Sequence, residues 1–167
     1  ARPRFSSAAR RRSGRGGPAY CSRRGGGMSH TRSQLVARAA FAAVAARADR
    51  PGADRYKAFA QQFPTLIHTC GLAQATAFAL AKGKPKNPGD KPGETLSVLN
   101  DLAAVLKQAR GYAEATDGGR FHEAVIAAPV GEYLRATRNA LLAASWLKRY
   151  AEALLPAPAQ TPPGTPA

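Results

Sequence analysis

Residues 63–81 read FPTLIHTCGLAQATAFALA, and this stretch decides the fold. At about 100° per residue, its apolar side chains cover most of the circumference of a helix. A helix with so little polar surface needs neighbours on several sides, which places it in the middle of a helical bundle. Within it, Gly71 predicts a close approach by the backbone of another helix. The predicted buried stripe consists of Leu66, Cys70, Ala73, Ala77 and Leu80, widened by Phe63, Ile67, Gln74, Phe78 and Ala81.

The remaining segments have the pattern of surrounding helices. Thr31 and Gln34 have the spacing of a capping box at a helix start, and Pro64 suits the first turn of the central helix. No stretch alternates apolar and polar residues in the way that half-buried strands do. We therefore predict an all-α fold, a single compact bundle of about six helices. They cover about residues 31–47, 55–62, 64–81, 94–110, 120–128 and 131–155.

The 167-residue chain divides into one core and two tails. Residues 1–27 are rich in arginine, glycine and serine, and residues 156–167 in proline, alanine and threonine. Neither composition can bury a core, so both tails are predicted to be disordered. Residues 28–155 are left as the helical bundle domain. Residues 1–27 fit a transit peptide, an RNA-clamping arm, or residues ahead of a natural start at Met28, and the glycines before Met28 favour the last.

The charge of the chain is strongly basic. The first 27 residues hold eight arginines and no acid, which accounts for +8 of the formal charge of +15 and leaves +7 for the rest. This balance indicates a polyanionic partner, nucleic acid first and an anionic membrane surface second. The sequence has no long apolar run that suits a membrane and no secretory signal, so we expect a soluble, cytoplasmic protein. Cys21 and Cys70 do not predict a disulfide.

Residues suited to catalysis or metal binding do not cluster in the sequence. His30, His68 and His122 have no partner at a helical ligand spacing, and the ten acidic residues are scattered singly. Nucleophile motifs and phosphate-binding glycine loops do not occur. We therefore predict a protein that is not an enzyme and that holds no metal and no cofactor.

The last predicted helix has a basic side. Arg135, Arg138, Leu142, Trp146 and Arg149 fall within a wedge of about 80°, opposite its predicted buried stripe. Arginines bind phosphates in a bidentate manner, and an indole can stack on a base. Alternatively, the tryptophan packs between helices, which makes the wedge a helix contact or a subunit interface. The candidate RNA-binding residues of this helix are Arg135, Arg138, Trp146, Lys148 and Arg149.

A second basic segment, residues 82–93, reads KGKPKNPGDKPG. Its prolines and glycines predict a loop, and its lysines are candidates for phosphate contact. A solvated connector is the equally good alternative. The candidate residues are Lys82, Lys84, Lys86 and Lys91.

Two stretches together resemble a known family. They are residues 56–78, YKAFAQQFPTLIHTCGLAQATAF, and residues 133–153, YLRATRNALLAASWLKRYAEA. The first has a proline ahead of a Gly-Leu-x-Gln helix, and the second has Tyr-x-x-x-Thr leading to Trp-Leu-Lys-Arg-Tyr. In this order and spacing they are similar to the small α-helical subunit of the type III-B CRISPR effector complex, the Cmr-type RAMP-module assembly.

This resemblance implies a non-catalytic bundle that stacks in several copies in the inner filament of the complex. Its implied partners are the other subunits, further copies of itself, and the guide RNA with its target RNA, while RNA cleavage belongs to other subunits. The sequence therefore predicts a structural RNA-binding subunit. The alternative is a protein–protein adaptor whose basic face binds an acidic protein surface.

Overall fold

The computed structural model describes residues 30–85, 91–109 and 116–156 of the chain. These residues contain helices but no strand, which confirms the predicted all-α fold. The predicted tail over residues 1–27, most of that over residues 156–167, and Lys86 lie outside the described residues, as does the predicted end of the fourth helix at residue 110. The helices are α1 (Arg32–Ala45), α2 (Ala53–Gly83), α3 (Glu94–Gln108), α4 (Gly118–Ala127) and α5 (Val130–Leu154).

The start of α1 shows how local sequence sets a helix boundary. The Gln34 N–H donates to the Thr31 hydroxyl at 3.3 Å, and the Thr31 N–H donates to the Gln34 side-chain oxygen at 2.8 Å. This is the predicted capping box, which satisfies two N–H groups that have no partner inside the helix.

α2 is a helical hairpin rather than a straight rod. Gly71 has φ +82° and ψ 164°, a conformation that is essentially restricted to glycine, and it is the only residue inside α2 with non-helical dihedral angles. Phe78 consequently stacks on Phe59, with ring centroids 6.2 Å apart. A straight helix would separate these two residues by about 28 Å. We call residues 53–70 the first limb and residues 72–83 the second limb.

The position of this corner corrects the expected helix boundary. The second predicted helix and residues 64–70 of the central one form one continuous first limb, because α2 continues through Pro64 and breaks at Gly71. The glycine does not mark a close helix backbone either. A Cβ at Gly71 would meet the Tyr133 hydroxyl at 3.2 Å, and this hydroxyl accepts a hydrogen bond from the Ala73 N–H at 3.4 Å. Tyr133 of α5 therefore caps the start of the second limb.

The predicted buried stripe is wrong beyond the corner. Ala77 and Phe78 are exposed, whereas Leu72, Ala75 and Ala79 are buried. The prediction extended one 100° periodicity across Gly71, but the helical phase restarts after it. The central position of α2 holds, since α2 contacts α3, α4 and α5.

α5 packs against α1, α2 and α3 through a side made mostly of small residues. Where α5 ends, the nearly buried Lys57 donates to the carbonyl oxygens of Glu152 at 3.3 Å and Leu155 at 2.9 Å. A cation at this end of a helix offsets the partial negative charge of its free carbonyls. The buried residues of α5 are Ala136, Ala140, Ala143, Ala144, Leu147 and Ala151.

A second buried polar cluster ties the end of α1 to α2 and α3. The Arg47 guanidinium donates twice to Asp101, with Nη2 2.8 Å from Oδ1, and lies 4.7 Å from the centroid of the Tyr56 ring. The Tyr56 hydroxyl also donates to Asp101, at 2.8 Å. Burial raises the pKa of the Tyr56 phenol, and the negative charge of Asp101 raises it further, so the phenol remains a neutral donor.

Candidate nucleic-acid interface

The side of α5 that faces away from the bundle carries the candidate arginines. Arg135, Arg138 and Arg149 are all placed there, opposite the small buried residues, and all three side chains are exposed. The helix is uninterrupted from Val130 to Leu154, so it fixes the spacing of these side chains along one rigid element. The three guanidiniums can therefore reach an anionic partner together.

These arginines are largely free of acidic neighbours. Nη2 of Arg135 lies 3.8 Å from Oε1 of Glu132, and the two side chains are 73% and 56% exposed. The attraction between two such exposed charges is weak. Within the part of the chain that the structure describes, no carboxylate pairs with Arg138 or Arg149. Arg149 instead lies 5.5 Å from the centroid of the Trp146 ring. Their charge remains available to a ligand.

Trp146 is half-buried, whereas a ring that serves as an open platform for base stacking would be exposed. Its ring packs against the core and stacks on Tyr150, with centroids 5.6 Å apart and an interplanar angle of 21°. Tyr150 in turn meets the edge of Phe41 on α1, with centroids 5.4 Å apart. The ring therefore supports the bundle and also contacts Arg149, while stacking of a base on it stays a prediction.

Three of the described lysine candidates lie away from α5. Lys82, Lys84 and Lys91 are exposed around the connection between α2 and α3, and Lys82 lies 5.8 Å from the centroid of the Phe78 ring. Lys148 of α5 is half-buried. The structure therefore places the described candidates in two parts of the molecule. The arginine area of Arg135, Arg138 and Arg149 lies on α5, and a lysine area of Lys82, Lys84 and Lys91 lies around the connection between α2 and α3.

α1 adds two residues next to Tyr150 of α5 that sequence reasoning did not identify. Phe41 is 48% exposed, and Arg38 donates from Nη1 to His30 Nε2 at 3.0 Å. The helical phase of α1 could have identified both as surface residues, because they fall outside the buried stripe of Val36, Ala40 and Val44. That phase does not show that Phe41 meets Tyr150 of a helix more than a hundred residues later.

Other kinds of site find little support among the described residues. In residues 30–85, 91–109 and 116–156, no three His, Cys, Asp or Glu side chains lie together as metal ligands would. Over the same ranges, every helix is too short or too polar to cross a bilayer. His122 is engaged by the fold, since its Nδ1 lies 2.7 Å from the hydroxyl of the buried Thr76. The basic surface of α5 is therefore the best candidate site.

Comparison with known proteins agrees with the resemblance seen in the sequence. The family model described as CRISPR-associated protein (Cas_Cmr5) matches residues 32–154, from the first residue of α1 to the last of α5. The CRISPR system Cmr subunit Cmr5 of Thermus thermophilus is 37% identical over 125 residues, which are 75% of this chain and 96% of that protein. A crystal structure of a CRISPR-associated Cmr5 family protein from the same organism, also 37% identical, matches with a TM-score of 0.64 over 76% of this chain and 100% of that one. The chain belongs to the CRISPR-associated Cmr5 family.

Proposed function

We propose that this protein is a non-catalytic structural subunit of a cytoplasmic type III-B CRISPR ribonucleoprotein complex and that it contacts guide and target RNA through its basic surface. Support for the subunit role comes from the Thermus relative, which is named as a subunit of a Cmr system and is matched over 96% of its length. Further copies of the chain stack beside it in the inner filament. Other subunits carry out any cleavage of RNA.

The observation that carries the RNA contact is the set of arginines on the outer side of α5, which lack strong acidic partners among the described residues. Accessible guanidiniums of this kind attract a polyanion, and they bind phosphate oxygens in a bidentate manner. The contact positions the RNA and does not read its sequence, because phosphates are the same at every nucleotide. The lysine area near the α2–α3 connection provides further phosphate contacts.

A second candidate function is supported by apolar residues that lie among these arginines. Leu134 is 50% exposed and Leu142 36% exposed on α5, and Val130 at its start is 76% exposed. Exposed apolar residues grouped with arginine are also typical of protein interfaces. In this alternative the chain is an adaptor, and the basic surface binds an acidic protein surface.

The salt dependence of RNA binding tests the proposed function. In the full chain, replacement of Arg135, Arg138 and Arg149 by glutamine is expected to weaken binding to single-stranded RNA. It should also flatten the slope of log affinity against log salt by about 2, since each phosphate contact contributes roughly 0.7. Fluorescence anisotropy with a labelled oligonucleotide measures both quantities.

The matched control is a triple variant that removes three other exposed cations, Arg50, Arg55 and Lys107. It has the same net charge and keeps every residue of the basic tail, so a general charge effect would lower both affinities equally. Equal slopes in the two variants would contradict RNA contact by α5. If the α5 variant instead loses only its binding to an acidic subunit of the complex, the adaptor function is correct.

A further inference from the structure

An open groove lies between α1 and α5, where Tyr150 of α5 forms part of its lining. Its volume is about 470 Å³, within the range of sites that accept small organic ligands. Phe41 is the most exposed aromatic side chain among the large apolar residues of the described part of the chain, and it forms one wall. The described residues that line the groove are His30, Gln34, Ala37, Arg38, Phe41 and Tyr150.

The aromatic wall of the groove is fixed in place by the core. Tyr150 meets Phe41 edge to face at an interplanar angle of 84°, and Trp146 stacks on Tyr150. Trp146 and Tyr150 are both half-buried against the hydrophobic core. Phe41 is thus held at one end of a row of three rings while about half of its own surface remains open to solvent. A preorganised ring of this kind offers a face for stacking at little entropic cost.

The charge around the groove selects the class of partner. Arg38 lies on the rim, where the His30 ring accepts its hydrogen bond, and Arg149 lies beside the Trp146 ring at the other end of the row. The described lining residues include no acidic side chain. An aromatic face bordered by the Arg38 guanidinium suits a ligand that is both flat and anionic, and the nucleotides of single-stranded RNA have both properties.

We propose that this groove receives an unpaired base of single-stranded RNA, which stacks on Phe41 while a neighbouring phosphate binds Arg38. This inference rests on the proposed RNA contact of α5 and adds a different interaction to it. Phosphate contacts along α5 depend on charge alone, whereas stacking on Phe41 requires a base. The stacked base would be any of the four, because each has a π face on which the ring can stack.

The test compares two RNA ligands of equal length and charge with the full chain. One is oligoadenylate, and the other is an oligomer whose riboses carry no bases. Wild-type protein should bind oligoadenylate about tenfold more tightly, the effect expected for one stacked base. Phe41→Leu removes the ring but keeps an apolar side chain, and it should abolish most of this preference without changing the salt slope.

Phe78→Leu is the matched control. Phe78 is also exposed, at 43%, and lies near a cation, but it belongs to α2 and not to this groove. It should leave the preference for bases unchanged. Should Phe41→Leu fail to fold, Arg38→Gln provides a second variant, which is expected to weaken RNA binding and to reduce the salt slope by roughly 0.7.

Each outcome separates this inference from the proposed function. Equal affinity of wild-type protein for the two oligomers, with a steep salt slope, would overturn base stacking and leave phosphate binding intact. An absence of salt-dependent RNA binding would overturn both. If Phe41→Leu and Phe78→Leu lose the base preference equally, the groove is not the stacking site. If the Phe41→Leu variant no longer binds another subunit of the complex while its RNA binding is unchanged, the groove is a protein interface.

Discussion

Arg47 and Arg138 are the same residue type in opposite surroundings. Arg47 lies where α1, α2 and α3 meet, with its side chain 16% exposed and two hydrogen bonds to Asp101. Arg138 lies on the outer side of α5, and within the described residues no acidic group pairs with it. Burying a charge is costly unless it is paired, whereas a charge that reaches solvent costs the fold little. The interior pair therefore fixes the helices, and the outer charge is left for a partner.

The largest expected effect is the loss of the interior pair. Arg47→Gln leaves the Asp101 carboxylate nearly buried without its cation, and we expect it to lower the free energy of unfolding by about 2–4 kcal/mol. Chemical denaturation followed by circular dichroism measures the change. Arg50→Gln, at an exposed position three residues further on, is the control and should change stability by less than about 0.5 kcal/mol. Similar values for the two variants would show that the interior pair does not stabilise the fold.

A smaller interior effect is expected at the corner of α2. Gly71→Ala places a Cβ in a conformation with φ +82° and only 3.2 Å from the Tyr133 hydroxyl, and it should cost about 1–3 kcal/mol. Gly131→Ala is the matched control, because Gly131 lies in α5 and a Cβ there meets nothing within 4 Å. Alanine is the better helix former, so this control should be neutral or slightly stabilising. Thermal unfolding of both variants under one set of conditions decides whether the corner depends on glycine.

The corner also shows which parts of the fold the sequence can predict. The capping box at Thr31 is local, so four residues were enough to place the start of α1. Pro64 and Gly71 are both local signals for a break, and local rules favoured the wrong one. The proline stays helical, whereas Tyr133, far along the chain, contacts the backbone just after Gly71. A contact between distant residues cannot be read from spacing along the chain.

The candidate site likewise has one part that local sequence could predict and one part that depends on contacts between distant residues. The helical period of α5 was sufficient to place Arg135, Arg138 and Arg149 on the side opposite the buried residues. It could not show that Trp146 is half-buried, because that depends on how the ring meets Tyr150 and the core. Nor could the helical period of α5 show that Phe41 of α1 contacts Tyr150 of α5. The family resemblance came from motifs on α2 and α5, and these include Gly71 and Tyr133, which meet at the corner.

The smallest change in stability is expected for a substitution of Arg138, and it tests the contrast between Arg47 and Arg138 most directly. Arg138→Gln makes the same chemical change as Arg47→Gln, but it should alter the free energy of unfolding by less than about 0.5 kcal/mol, because no described acidic partner loses an ion pair. The same variant should weaken RNA binding and reduce the salt slope by roughly 0.7, the contribution of one phosphate contact. Denaturation and anisotropy on one protein preparation measure both. A variant that loses stability together with RNA affinity would show that Arg138 acts through the fold. Unchanged stability with a reduced slope is the result expected of a charge that the fold leaves free for RNA.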